Sequence, residues 1–238
     1  MSIAENIAAV RQQMDRAARE TGRTGADVIL VGASKMNDAA ACREAIAAGI
    51  DALGENRVQE MTAKLAENAY EGRPLHFIGH LQRNKVRQVV GKAALIQSVG
   101  SAELLQEIEK AAGRLDICQD ILLEVNIGQE ESKGGCMPQE VEALARQAMD
   151  MSAVRLRGLM AIPPVSAQPG ANKPYFAAMR QLFVDIREKM SDNENDIVCL
   201  SMGMSGDFED AIAEGATMVR VGSALFGPRP PMKSHLPS

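Results

Sequence analysis

Eight short apolar segments recur along the chain at similar intervals, and this rhythm limits the folds available to it. The segments lie at residues 27–35, 51–56, 75–80, 94–100, 120–126, 154–162, 196–205 and 217–227. Each is nearly continuous in apolar and β-branched residues, which is typical of strands buried on both faces of a parallel sheet. The segments between them have the spacing of amphipathic helices, and residues 1–21 predict an extra helix before the first strand.

Eight strand–helix units at a mean spacing of about 27 residues predict an α/β fold, a single (β/α)8 TIM barrel with an extra N-terminal helix. The alternative is an open, doubly wound sheet, which in dinucleotide-binding proteins carries a GxGxxG loop after its first strand. The sequence GASKMN follows the first predicted strand and is not such a loop. Residues 51–56 are the weakest predicted strand because they contain few β-branched residues. We expect residues 1–228 to form the barrel and residues 229–238 to form a flexible tail.

Charge and composition exclude several classes of function. The net charge is −5, from 31 acidic and 26 basic residues, so a nucleic-acid backbone is not an expected partner. Aromatic residues make up 3% of the chain, too few for platforms that stack bases. No apolar run approaches the roughly 18 residues that span a bilayer, and the charged N-terminal segment has no apolar signal core. We therefore expect a cytoplasmic protein that binds neither nucleic acid nor membranes.

The cysteines and histidines do not predict a metal site. The four cysteines are scattered and form no CxxC pair. His76 and His80 are four residues apart, but their segment has the pattern of a strand running into a loop rather than a helix. No nearby carboxylate or thiol completes a ligand set for them.

In a barrel of this kind, function is expected at the C-terminal ends of the strands. Lys35 follows the apolar segment VILVGAS, where desolvation would lower the pKa of its ammonium group. A neutral lysine amine can attack a carbonyl and form a Schiff base. A lysine that simply emerges from a strand into solvent is an equally good interpretation of its position alone.

Two tight turns after the seventh and eighth strands predict an anion site. Ser205 lies in the first turn, and Gly222 and Ser223 lie in the second. Loops after these two strands are the recurring phosphate site of the fold, and strand eight neighbours strand one in a closed barrel. An amine that captures aldehydes beside a phosphate site indicates pyridoxal 5′-phosphate as the cofactor. Each turn alone is weak evidence, since Gly/Ser turns are common.

Seven ordered blocks then resemble a known family over residues 8–227. The blocks are VGASK with GENRVQE, HFIGHLQRNKV, LEVNIGQEESKGG, GLMAI, LSMGMSGDFEDAI and VRVGSALFG. They look like the pyridoxal phosphate homeostasis proteins, single-domain relatives of the N-terminal barrel of alanine racemase. The resemblance implies a barrel that binds pyridoxal phosphate. Met36 and Asn37 depart from the family, since many relatives show Thr and a second Lys there.

The same resemblance implies a role for individual residues. Lys35 would form the Schiff base with pyridoxal phosphate, and Asn56 would lie beside the ring. Ser205, Gly222 and Ser223 would hold the phosphate, and Arg220 would face the pyridine nitrogen. The secondary candidates are His80, Lys133 and Met202, and Lys133 matches a family lysine that would hold or transfer the cofactor.

The implied Arg220 bears on catalysis. Pyridoxal phosphate is the strongest electron sink when its ring nitrogen is protonated beside an acidic partner. An arginine is already protonated, so it would donate to the ring nitrogen and keep that nitrogen unprotonated. Alanine racemase has a similar arginine but adds a catalytic tyrosine from a C-terminal domain, and this sequence has no residues for such a domain. Its tyrosines are Tyr70, in a helix-like segment, and Tyr175, which follows a proline-rich loop at 163–174. That loop is either a lid over the site or a surface excursion.

We therefore expect a protein of intracellular pyridoxal phosphate homeostasis or carriage rather than an enzyme. An amino-acid racemase, or another weak pyridoxal phosphate enzyme, is the alternative. A third hypothesis is a barrel enzyme that uses Lys35 on a phosphorylated sugar aldehyde or ketone. Apoenzymes that require pyridoxal phosphate are the expected macromolecular partners, and we expect a monomer.

Overall fold

Eight parallel strands close into a barrel. A computed structural model describes residues 1–130, 133–166, 168–190 and 197–227. Each strand pairs with the next along the chain, and the eighth pairs with the first to complete the ring. The strands are β1 Ile29–Ala33, β2 Ala52–Glu55, β3 Leu75–Phe77, β4 Leu95–Val99, β5 Gln119–Val125, β6 Val154–Ala161, β7 Cys199–Ser201 and β8 Met218–Val221. The predicted barrel is confirmed, and so is its weakest strand, β2.

Helices surround the barrel, and an extra one precedes β1 as predicted. The helices are α1 Ile3–Arg19, α2 Ala39–Ala47, α3 Val58–Ala66, α4 Val86–Val89, α5 Ala102–Gly113, α6 Val141–Met149, α7 Lys173–Lys189, α8 Phe208–Ala213 and α9 Ser223–Phe226. Within the described ranges, no helix combines the length and the apolar character needed to cross a membrane.

The N-terminal helix α1 is held by its own sequence signals. Ser2 caps it, and Glu5 returns a hydrogen bond to the Ser2 backbone, which together form a capping box. Its buried residues recur at helical spacing, as at Ile7, Val10 and Met14, and they face the barrel wall near α8 and α9. Helix α1 therefore completes the helical layer beside β8 and β1.

The core has two parts. Most buried apolar side chains lie between the strands and the helices. A smaller cluster is formed by one residue from each of six strands, Val31, Ala52, Leu95, Leu122, Met160 and Met218. The period of two along each strand sends one set of side chains inward and the next outward, so this second cluster fills the barrel.

Some predicted boundaries differ from those observed. The segment 217–227 contains both β8 and the single-turn helix α9, so Ser223 begins a helix rather than ending a strand. The segment 82–92 forms a 3-10 turn at Arg83–Lys85 followed by the short α4. Helix α7 already begins at Lys173, because Pro174 suits the first turn of a helix. The predicted tail at 229–238 lies outside the described residues.

Gly158 marks an irregularity in the barrel wall. The register between β5 and β6 shifts next to it, and its φ is +148°. A Cβ atom at this position would lie 1.8 Å from the carbonyl oxygen of Cys199 on β7. The close approach of two strand backbones therefore requires glycine here.

We predict that Gly158→Ala severely destabilises the barrel. The methyl group would collide with strand backbone, so the free energy of unfolding should fall by more than about 4 kcal/mol, or the protein should fail to fold. Gly22→Ala is the matched control, because Gly22 also has positive φ (+71°) but a Cβ atom there would meet no other atom within 4 Å; its cost should be about 1 kcal/mol. Urea unfolding measures both, and equal losses would contradict the explanation.

Candidate functional site

A cavity of about 240 Å³ lies at the C-terminal ends of β1, β7 and β8. It brings together five of the predicted site residues, Lys35, Ser205, Arg220, Gly222 and Ser223. The closure of the barrel explains this meeting, since β8 pairs directly with β1. Met36 and Asn37, the two departures from the family pattern, also line the cavity.

Lys35 lies in a turn two residues beyond the end of β1 and is partly buried. The next residue, Met36, has a φ of 64°, which is unusual for a residue other than glycine, asparagine or aspartate. Its N–H donates to Oε2 of Glu60 at 2.8 Å. The carboxylate of α3 therefore holds the turn that carries Lys35 in a strained conformation.

Ser205 ties the turn after β7 to the turn after β8. Its Oγ accepts hydrogen bonds from the N–H groups of Gly222 at 3.1 Å and Ala224 at 3.3 Å. In both bonds the oxygen is the acceptor. Within the described part of the chain, the hydroxyl proton therefore remains available for donation to a ligand anion. The turn itself is closed by Asp207, which accepts from the N–H of Met204 at 2.7 Å.

Arg220 projects from β8 into the barrel and is almost fully buried. Its guanidinium donates to Ser201 Oγ at 2.6 Å and to the Ala161 carbonyl at 2.9 Å. Burial lowers the pKa of Arg220 to about 10, against the opposing effect of Glu124, so it stays charged at neutral pH. The side chain is therefore a fixed cation at the floor of the cavity.

A chain of hydrogen bonds continues from Arg220 across the barrel interior. Ser201 donates to Gln97 Oε1 at 2.7 Å, and Gln97 Nε2 lies 3.0 Å from Nδ1 of His76. Because the Gln97 amide nitrogen is a donor, Nδ1 of His76 must accept and the ring must be neutral. Burial lowers the pKa of His76 to about 4, which agrees with that neutral ring.

A buried ion pair lies behind the turn of Lys35. Lys64 Nζ is 2.6 Å from Glu55 Oε1, and the two side chains are 7% and 0% exposed. The same carboxylate oxygen accepts from Ser34 Oγ at 2.5 Å and from the Tyr70 hydroxyl at 3.3 Å. Lys64 also donates to the Ser34 carbonyl at 2.8 Å. This cluster, Ser34, Glu55, Lys64 and Tyr70, is called the anchor cluster below.

The anchor cluster fixes the two residues that follow it in sequence. Ser34 precedes Lys35, and Glu55 precedes Asn56. Burial, together with the Glu55 carboxylate, raises the pKa of Tyr70, which keeps the phenol protonated. Tyr70 is thus a structural donor behind the site rather than an acid–base group within it.

The remaining predicted residues do not line the cavity around Lys35. Asn56 lies beyond β2, partly buried, and its Oδ1 has no hydrogen-bond partner among the described residues. Lys133 forms an ion pair with Glu130 at 2.5 Å and donates to the Pro163 carbonyl at 3.1 Å. Met202 is fully buried in the core, and His80 lines a separate cavity. Their proposed roles stay predictions.

The proline-rich loop runs beside the turn of Ser205. Ser166, Gln168 and Pro169 border a groove that also contains Ser205. The N–H of Gly170 donates to Asp210 at 3.1 Å, and Asn172 donates to Asp207 at 2.7 Å, so α8 holds the end of the loop. Residue 167 lies outside the described residues, and the role of the loop as a lid stays a prediction. Tyr175 packs against the core between helices and strands.

The comparisons with known proteins agree on one family. The sequence matches the family described as alanine racemase, N-terminal domain, over residues 2–230. The pyridoxal phosphate homeostasis protein of Aquifex aeolicus is 40% identical over 230 residues, which cover 96% of this chain and 99% of the relative. Its namesake from Pseudomonas aeruginosa is 43% identical over 232 residues, 96% of each protein. This chain belongs to the pyridoxal phosphate homeostasis protein family. The resemblance predicted from the seven blocks is confirmed.

Solved structures show the same fold in this family. PipY of Synechococcus elongatus, solved without PLP, superposes with a TM-score of 0.84 at 36% identity and covers 95% of this chain and 100% of its own. The same protein with PLP bound gives a TM-score of 0.82 at 35% identity. An alanine racemase of Clostridium difficile, at 16% identity and a TM-score of 0.67, covers 86% of this chain and 53% of the racemase, and it shares the fold.

Sequence reasoning missed the anchor cluster and the chain from Arg220 to His76. A lysine and a glutamate nine residues apart in the sequence give no signal that their side chains meet, and lysine is usually an exposed residue type. A weak signal for this chain was present in the sequence. Gln97 and Ser201 are polar residues at inward positions of β4 and β7, and buried polar groups require hydrogen-bond partners. Among the described residues, no group of three His, Cys, Asp or Glu side chains is placed to hold a metal ion.

We predict that Lys64→Met lowers the free energy of unfolding by about 3–5 kcal/mol, because it leaves the buried Glu55 carboxylate without its cation. The control is Lys110→Met, which removes the exposed pair with Glu107 and should cost less than about 1 kcal/mol. Urea denaturation compares the two. A small loss for Lys64→Met would mean that Ser34 and Tyr70 alone satisfy Glu55.

We also predict a pH dependence that belongs to His76. The unfolded ring titrates near its ordinary pKa of 6.5 and the folded ring near 4, so the unfolded state binds more protons between these values. Stability should therefore fall as the pH drops from 6.5 to 4, by about 3 kcal/mol. His76→Asn keeps an acceptor for Gln97 but cannot titrate. Unfolding curves at several pH values should diverge below pH 6.5, and parallel curves for the two proteins would contradict the assignment.

Proposed function

We propose that this protein binds pyridoxal 5′-phosphate as a Schiff base with Lys35 and acts in the intracellular homeostasis and carriage of the cofactor. The observation that carries the proposal is the single cavity in which Lys35 meets the turns of Ser205 and Gly222–Ser223. An amine and an anion site in one cavity suit one ligand that carries an aldehyde and a phosphate. The bound PLP of the related PipY supports the same ligand.

The residues present fit the cofactor chemically. Ser205 has a hydroxyl proton to donate to a phosphate oxygen, and it is fixed by the two N–H groups it already binds. Arg220 supplies a fixed cation at the floor of the cavity, held by Ser201 and Ala161. An arginine can donate to a pyridine nitrogen but cannot protonate it at neutral pH. Bound pyridoxal phosphate supplies an electrophilic aldehyde and an electron-withdrawing ring.

The protein side of the site favours holding the cofactor over catalysis with it. The described residues that line the cavity include no Asp, Glu, His, Cys or Tyr that would serve as a second acid–base group beside Lys35. Tyr70 is engaged with Glu55, and Tyr175 packs against the core. A racemase requires such a group on the opposite face of the substrate. Release to apoenzymes that need pyridoxal phosphate is the function that remains for a reversible imine.

We incubate the protein with pyridoxal phosphate and then remove the unbound cofactor. We predict that the wild type develops an absorbance band at about 420 nm, whereas Lys35→Ala does not. Borohydride should remove the band and fix the cofactor to the Lys35 peptide, because it reduces an imine to a stable amine. Lys92→Ala, an exposed lysine at the opposite end of the barrel, is the control and should load like the wild type.

Two further results complete this test. If the wild type and Lys35→Ala both stay colourless, Lys35 does not bind the cofactor and the proposal is wrong. If the protein loads, mixing it with an apoenzyme should restore that enzyme's activity, and it should exchange the α-proton of added amino acids no faster than free cofactor does. Faster exchange would overturn carriage in favour of a weak pyridoxal phosphate enzyme.

A further inference from the structure

A second cavity, of about 670 Å³, opens at the ends of β3, β4 and β5. Its polar lining differs from that of the cavity around Lys35, and the two have no lining residue in common. The side chains and glycines that shape it are His80, Arg83, Ser98, Glu103, Glu124 and Gly134. We call it the amine cavity, for reasons given below.

Glu124 is the principal charged group inside the amine cavity. It projects from β5, largely buried, and a Cβ on Gly134 would lie 3.8 Å from its Oε2 and 3.7 Å from Nδ1 of His80. None of the other residues that line the amine cavity donates a hydrogen bond to its carboxylate or forms an ion pair with it within 4 Å. Burial raises the pKa of Glu124, and the charges of Arg220 and His80 oppose that shift.

Ser98 is a second unsatisfied group on the same cavity. The residue is 3% exposed, and its Oγ has no hydrogen-bond partner among the residues that the structure describes. A buried hydroxyl without a partner costs free energy, whereas the Glu124 side chain is partly buried and keeps some access to solvent. A hydroxyl and a carboxylate that share one cavity favour a ligand that supplies hydrogen-bond donors.

The charge of Arg220 does not by itself explain why the Glu124 carboxylate lies largely buried in the cavity. The described bonds of the Arg220 guanidinium go to Ser201 and Ala161, and no ion pair joins it to Glu124. Glu124 thus offsets the charge of Arg220 from a distance, and its side chain lines the amine cavity. A donor that enters the cavity would meet a carboxylate with its acceptor sites unused.

The cavity is poorly equipped to hold a carboxylate on its ligand. Lys133, the nearest lysine on the following loop, is already paired with Glu130. Arg83 is exposed at the rim, where water and salt screen its charge. A ligand carboxylate would therefore lie near Glu124 with no buried cation beside it, and like charges placed together are strongly disfavoured.

We propose that the amine cavity binds primary amines that carry no carboxylate, with the Glu124 carboxylate accepting from the ammonium group and Ser98 adding a hydrogen bond. The biological meaning of this proposal rests on the proposed function: a selective cavity at the same end of the barrel as Lys35 would favour simple amines over free amino acids near the cofactor. Binding itself does not require the cofactor.

The test uses cofactor-free protein and two matched ligands. Ethylamine is alanine without its carboxylate, so the pair isolates that one group. Saturation-transfer NMR titrations should give a dissociation constant for ethylamine at least about tenfold lower than that for L-alanine. In Glu124→Gln, ethylamine should bind about tenfold more weakly and the preference over alanine should disappear. Lys35→Ala should keep the wild-type preference, which separates this test from cofactor loading.

Glu107→Gln is the control for the loss of one negative charge, since Glu107 lies on α5 and outside the cavity. It should bind ethylamine as the wild type does. Equal binding of ethylamine and alanine to the wild type would overturn the proposal, and so would an unchanged preference in Glu124→Gln. If ethylamine does not bind while pyridoxal phosphate still loads on Lys35, the amine cavity is wrong and the proposed function stands.

Discussion

The buried ion pair between Glu55 and Lys64 is the interaction on which the site depends. It joins the end of β2 to α3 and, through Ser34, to the end of β1. Removing two charges from water is costly, and such a pair is tolerated where hydrogen bonds satisfy the groups around it. Ser34 and Tyr70 provide those bonds on one side of Glu55, while its Oε2 has no partner in the described part of the chain. The main effect of the pair is thus to fix the positions of the ends of β1 and β2, rather than to add stability.

The barrel interior changes character along its axis, and the polar end faces the site. Met218 and Leu122 belong to the apolar cluster inside the barrel, whereas Arg220 and Glu124 lie two residues further along the same strands. A period of two keeps each pair on the same inward face. Two opposite charges near the mouth reduce each other's cost of burial, and the neutral chain through Gln97 connects Arg220 to the opposite wall.

The sequence predicted what depends on local pattern and on the closure of the barrel. Eight apolar segments were enough to identify the strands, and closure then brought Lys35 close to Ser205 and Gly222. Contacts between side chains that are distant in the sequence could not be predicted from local pattern. Lys64 is an example, because it pairs with Glu55 although lysine is usually exposed. Boundaries were lost where one segment changes structure, as at Ser223, because an apolar run does not distinguish a strand end from a single turn of helix.

The groups that fix Lys35 lie outside the cavity it lines. The anchor cluster holds the backbone before it, and Glu60 holds the strained Met36 after it. The side chains that make these contacts, those of the anchor cluster and Glu60, do not line the cavity, so a ligand can arrive or leave without breaking them. Strain at Met36, of the order of 1–2 kcal/mol, is balanced by that scaffold rather than by the ligand. A site organised in advance loses little conformational entropy on binding, and it regains its shape when the ligand leaves. Both properties suit the proposed function, in which the protein holds a reactive aldehyde reversibly.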